Sequence, residues 1–139
     1  MKRIEISRIS YLLNAEIQSL INCSNGSVEF HNNLRKSLCK MAAVFGCVGK
    51  TRYKVNNKRR MDVVWIDACD NIKAAFELDG GNRKRYRKRL LDITSNNKIW
   101  IYYGNSNKLQ EMIKKNVSNK SIFLLNLGNI RKKVRSNIQ

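Results

Sequence analysis

The chain has 139 residues, with 28 Lys and Arg against 10 Asp and Glu, a formal charge of +18. That length is one domain's worth and long enough to bury a core without staples, while so one-sided a charge is relieved by a polyanion that trades its counterions for protein cations. No segment approaches the ~20 apolar residues that span a bilayer, and Glu5, Arg8 and Asn14 interrupt any apolar leader at the N-terminus, so composition excludes a membrane protein and points to a cytoplasmic partner of nucleic acid.

Along the chain, Ile9, Leu12, Leu13, Ile17, Leu20 and Ile21 recur at helical spacing, with Ser7 as a cap and residues 23–26 as the stop. A second helix is predicted from Ser27, its N-cap, through Phe30, Leu34, Leu38, Met41, Ala42 and Phe45, with Arg35, Lys36 and Lys40 off the apolar face. Gly46 or Gly49 ends it. From Lys50 the period becomes two. Strands are predicted at 51–55, 61–66 and 72–78, joined by turns at Asn56–Asn57 and 68–71, and Gly80-Gly81 breaks the third. A basic helix follows at about 82–94, then a strand at 98–103, a helix at 106–115 and a strand at 122–127. Within the helix at 106–115, Glu111 pairs with Lys108, Lys114 or Lys115. Trp65, Trp100, Tyr102 and Tyr103 fall on strands and read as core.

The order ααβββαβαβ implies one α/β domain, a mixed central sheet of about five strands flanked by helices. Its parts are an N-terminal helix over 1–26, a core over 27–127 and a basic tail over 128–139. Cys23, Cys39, Cys47 and Cys69 form no CxxC pair and His31 is the lone histidine, so a zinc site is not expected and the cysteines read as reduced, small core residues.

Acids are scarce, so their positions are informative. Asp62 begins the second strand, while Glu77 and Asp79 end the third, two residues apart and on one face. A tight turn at 68–71 makes these strands antiparallel neighbours and brings Asp62, Glu77 and Asp79 to one edge of the sheet. Carboxylates facing phosphate repel it unless a cation lies between, and carboxylate oxygens suit a hard divalent ion. Around them lie Lys58, Arg59, Arg60, Arg83, Lys84, Arg85, Arg87 and Lys88. An acidic point in a basic rim is the arrangement that metal-assisted phosphodiester hydrolysis needs. The opposing reading is three surface acids paired with nearby arginines. Against it, Glu77 ends a run that reads as an interior strand, where an acid is costly without a role.

The stretch RRMDVVWIDACDNIKAAFELDGG, with LLDI and KIWIYYG beyond it, resembles the core of the PD-(D/E)xK nuclease superfamily over roughly residues 27–127. The resemblance implies a restriction-endonuclease-like fold and a divalent-metal-dependent DNA endonuclease using Mg²⁺ or Mn²⁺. It matches Asp62 and Glu77 to the metal-binding acids, adds the Leu78 carbonyl as a ligand and asks for an acid on the preceding helix. Glu29, with His31 two residues on, suits that role better than Glu16 or Glu5. One departure is plain. The family's lysine, two residues after the Glu, is Asp79 here, as in similar sequences reading F-E-V-E. Either Asp79 serves as base or ligand, or Lys73 or Lys84 supplies the cation, or catalysis is lost and a nucleic-acid-binding protein keeps the fold. The expected partner is DNA, with RNA left open and no nucleotide cofactor. So small a chain suits a homodimer cutting both strands, whether junction resolvase or site-specific endonuclease.

Overall fold

A computed structural model describes residues 6–56, 59–81, 97–105 and 122–135. The predicted helices at 82–94 and 106–115, with Glu111 and its lysines, lie outside the described residues, as does Glu5.

Helices α1 (Ile6–Asn22) and α2 (Ser27–Met41) come first, and a short 3-10 turn, Ala42–Phe45, leads into the sheet. The strands are β1 (Val48–Asn56), β2 (Arg59–Ile66), β3 (Ile72–Asp79), β4 (Lys98–Tyr102) and β5 (Ile122–Asn126), followed by α3 (Ile130–Arg135). The molecule is an α/β domain whose five strands lie in chain order across one mixed sheet. β1, β2 and β3 form an antiparallel meander, and β4 and β5 extend it in parallel. A parallel neighbour requires a crossover of a dozen or more residues, and residues 80–97 and 103–121 separate those strands in sequence.

The central strands β3 and β4 are buried on both faces, which explains why they read as nearly continuous apolar runs. On one face Ile9 and Leu13 of α1 and Phe30, Leu34 and Leu38 of α2 pack on Val63, Trp65, Phe76, Leu78, Ile99 and Ile101. On the other, Val64, Ile66, Ala75, Trp100 and Tyr102 form a second cluster. Met61 belongs to the second cluster and Val63 to the first, so the alternation slips between Met61 and Val64, next to Asp62. Trp65 ties α2 to the sheet, because its indole N–H donates to the Leu38 carbonyl at 2.8 Å while its rings meet Phe45 and Phe76. The β2–β3 turn is held by Asp67, whose Oδ1 accepts from the N–H groups of Cys69 and Asn71, both at 2.9 Å.

Three expectations change. Ser27 is the first helical residue rather than the N-cap. Gly26 holds that place at φ 95°, with no side-chain cap. The segment 128–139 is not a plain tail, since Ile130 and Val134 of α3 are buried in the first cluster. Its apolar residues lie four apart, and the basic residues between them mask that pattern in sequence. All four cysteines are free, but only Cys47 is buried, and Cys23 and Cys69 are exposed. Among the described residues no helix is long and apolar enough to cross a membrane.

Candidate functional site

The site forms where β2 and β3 part. Their ladder runs from Ile66↔Ile72 to Val63↔Phe76, and one rung further Asp62 stands beside Glu77. There the side chains replace backbone pairing. The Leu78 N–H donates to Asp62 Oδ2 at 2.8 Å, and the Asp62 N–H donates to Glu77 Oε1 at 3.2 Å. Each carboxylate thus accepts a backbone proton from the opposite strand, which anchors both at the notch. Glu77 is fully buried, and the Asp62 side chain is 12% exposed.

Helix α2 closes one side of the notch. His31 and Arg35 are four residues apart and so share a helix face. His31 Nε2 lies 3.5 Å and Arg35 Nη2 3.7 Å from Asp62 Oδ1. The other ring nitrogen of His31, Nδ1, is 2.8 Å from the Tyr103 hydroxyl, just beyond β4. Burial pushes the Asp62 carboxyl up. The contact with His31, the Leu78 N–H and the charge of Arg35 outweigh it and hold the carboxyl below the usual aspartate range. Asp62 is therefore ionised at neutral pH.

Asp79 is turned elsewhere. It shares a face of β3 with Glu77 and Ala75 and is fully buried. Its Oδ1 accepts from the Gly81 N–H at 2.8 Å and its Oδ2 from the Trp100 indole N–H at 3.0 Å. Burial raises its carboxyl above the ordinary value, the charge of Asp62 adds to the rise, and the two hydrogen bonds oppose it. Gly81 sits at φ 101°, and a Cβ on Gly104 would collide with the Gly80 carbonyl. Glycine is therefore required on both sides of this turn, where two loops touch through their backbones.

The expected site residues separate accordingly. Asp62 and Glu77 are joined through the backbone, the Asp62 N–H donating to the Glu77 carboxylate and the Leu78 N–H to that of Asp62. Asp79 lies one pleat away, spent on Gly81 and Trp100, so the three acids do not gather at one point. Among the described residues no three of His, Cys, Asp and Glu form a group able to hold a metal ion. Glu29 is exposed in the first turn of α2, about 200° around the helix from His31, so α2 presents His31 and Arg35 to Asp62 instead of an acid. Glu16 is hydrogen-bonded to Ser37 and takes no part. Lys73 pairs with Asp67 at 3.4 Å, at the far end of the β2–β3 hairpin. Arg60 is exposed on β2 and Arg59 opens that strand opposite Asn56. Lys58, Arg83, Lys84, Arg85, Arg87 and Lys88 lie outside the described residues. Sequence reasoning missed Arg35, set aside as off the apolar face, and Tyr103, taken as core. Their signal is relational: Arg35 follows His31 by one helical turn, and Tyr103 follows the buried run of β4.

Fold and site together define an α/β protein with a paired-carboxylate notch at the opening of a β-hairpin, flanked by a histidine and an arginine. No family model matches the chain, and no curated protein matches it. Among solved structures it is similar to the YaeQ protein from Xanthomonas axonopodis pv. citri, at 17% identity and a TM-score of 0.49 over 78% of this chain. The chain spans 63% of the length of that protein. The likeness is distant.

Proposed function

We propose that this protein is a divalent-metal-dependent endonuclease that hydrolyses DNA phosphodiester bonds, a PD-(D/E)xK-type enzyme with E-x-D in place of E-x-K. The observation that carries the reading is the Asp62–Glu77 pair, buried and cross-anchored in a chain of charge +18. A protein that only bound phosphate would gain nothing from two carboxylates held at one notch.

The donors fit the ion. Carboxylate oxygens suit a hard cation, and Mg²⁺ keeps several waters while taking only one or two protein carboxylates. Asp62 and Glu77 meet that need without a third acid, and the Leu78 carbonyl is the proposed further ligand. Bound there, Mg²⁺ or Mn²⁺ would polarise the phosphate and make a bound water more acidic. The protein's own groups do the rest. The Leu78 N–H orients the Asp62 carboxylate, and the Asp62 N–H orients that of Glu77. His31, fixed by Tyr103, borders the same notch. The excess of basic residues in the chain would draw in the DNA backbone without reading bases. A homodimer acting inside the cell, on branched or site-specific DNA, is the assembly proposed.

A second reading has its own observation. Asp79 is fully buried, each of its oxygens already accepts a hydrogen bond, and as an acid it cannot supply the positive charge of the family's lysine. A binding protein that keeps the fold without chemistry has that in its favour.

One experiment separates the two. Supercoiled, linear, single-stranded and four-way-junction DNA are incubated with Mg²⁺, Mn²⁺ or EDTA, using wild type and Glu77→Gln. The glutamine keeps an acceptor for the Asp62 N–H and removes the charge. Cleavage is expected with metal only, and Glu77→Gln should lower it about a thousandfold, equivalent to several kcal/mol of lost charge stabilisation, with DNA binding in EDTA unchanged or tighter. If wild type cuts none of the substrates with either ion, the nuclease reading fails.

A further inference from the structure

The cation missing from the end of β3 has a counterpart on α2. The Arg35 side chain is 13% exposed, a depth at which a guanidinium normally has its donors satisfied. Its Nη1 donates to Asn32 Oδ1 at 3.2 Å, which fixes that edge of the fork. The opposite edge, Nε with Nη2, makes no hydrogen bond among the described residues, though Nη2 is ion-paired with Asp62. Among the described residues the buried Nε–H has no hydrogen-bond partner. Nη2 lies 3.7 Å from Asp62 Oδ1, within Coulombic reach but too far for a hydrogen bond. An Nε–Nη2 edge presents two parallel N–H groups, the geometry that grips two oxygens of a phosphate.

We propose that the Nε–Nη2 edge of Arg35 clamps the phosphate that is to be cut, supplying from the helix the positive charge that the strand lacks at Asp79. The inference rests on the nuclease reading for the word "cut" but not for the contact itself. Arg35 faces Asp62, so a phosphate drawn to it arrives at the carboxylate pair. His31, one turn before it, borders the same place, 3.5 Å from Asp62 Oδ1. Lys73, held by Asp67 at the other end of the hairpin, is not available for that role.

The test reads the unspent donor directly. In wild-type protein in EDTA, the Arg35 Nε–Hε resonance is assigned by its through-bond correlations and followed by NMR as short duplex DNA is added. It should move and saturate with the binding isotherm. With Mg²⁺, Arg35→Lys should keep its fold and its KM within a few-fold while losing about a hundredfold in kcat, since lysine keeps the charge but not the two-pronged edge. An Nε resonance that stays put at saturating DNA overturns the proposal, and so does an Arg35→Lys protein that binds and cuts like wild type. If wild type cuts nothing yet the resonance follows DNA binding, the nuclease reading fails and the phosphate contact stands.

Discussion

Asp62 and Asp79 are two acids of one hairpin that their surroundings drive in opposite directions. At Asp62, charge and hydrogen bonding outweigh burial, so the folded protein holds the proton less tightly than the unfolded chain does. Its stabilising contribution is therefore complete above the unfolded pKa, about 3.9, and is lost as pH falls through the lower folded value. At Asp79 burial wins, so the folded protein holds the proton more tightly. That contribution favours folding below the unfolded pKa and is lost as pH rises through the higher folded value. Denaturant unfolding of Asp62→Asn and Asp79→Asn across acid and neutral pH should show this. The stability gap between wild type and Asp62→Asn closes as the solution is acidified below about pH 4. With Asp79→Asn, wild type loses ground to the variant as pH rises. Two gaps of the same sign of slope would mean that the hydrogen bonds assigned to Asp62 do not outweigh its burial.

Among the elements, α2 and α3 do the positioning. α2 is held by Leu34 and Leu38 in the core and by the Trp65 indole, and this docking presents His31 and Arg35 to the notch. α3 is short, but Ile130 and Val134 fill the same cluster, and the Ile130 N–H donates to the Tyr103 carbonyl at 3.1 Å. Tyr103 is the residue whose hydroxyl meets His31. Ending the chain at Gly128 should therefore lower unfolding stability by about 3 kcal/mol or more, at about 1.5–3 kcal/mol for each fully buried aliphatic side chain. Urea unfolding of the shortened chain measures this directly. A midpoint equal to that of the full chain would show the segment to be the plain basic tail its charges suggest.

For the whole molecule, the charge of +18 dominates any encounter with a polyanion. DNA affinity should fall with salt along a log-log line whose slope is about −0.9 for each phosphate neutralised on duplex DNA. Replacing Arg83, Lys84 and Arg87 by Ala should flatten that slope by up to about 0.9 for each residue that contacts a phosphate. Filter or fluorescence binding over a range of salt concentrations measures both. Affinity indifferent to salt, or to those three changes, would remove the basic segment from the contact surface.

Periodicity and turn chemistry were enough for α1, α2 and the five strands, because each element buries an apolar stripe or run whose spacing is local. The tight turn at 68–71 was enough to make β2 and β3 antiparallel, but it is the one-residue register shift between Trp65 and Ile66 that sets Asp62 beside Glu77 rather than Phe76. What lay beyond sequence depends on contacts between distant segments. The slip in alternation between Met61 and Val64 turns Asp62 toward α2 while Asp79 faces Trp100, so parity along β3 alone did not place the three acids. The rotation of α2 about its axis, set by how Phe30, Leu34 and Leu38 seat on the sheet, exposes Glu29 and turns His31 and Arg35 inward. The Tyr103 hydroxyl meets His31 across 72 residues of chain. No local pattern encodes a partner at that distance. It is decided when two packed faces come together and leave a buried polar group one place to bond.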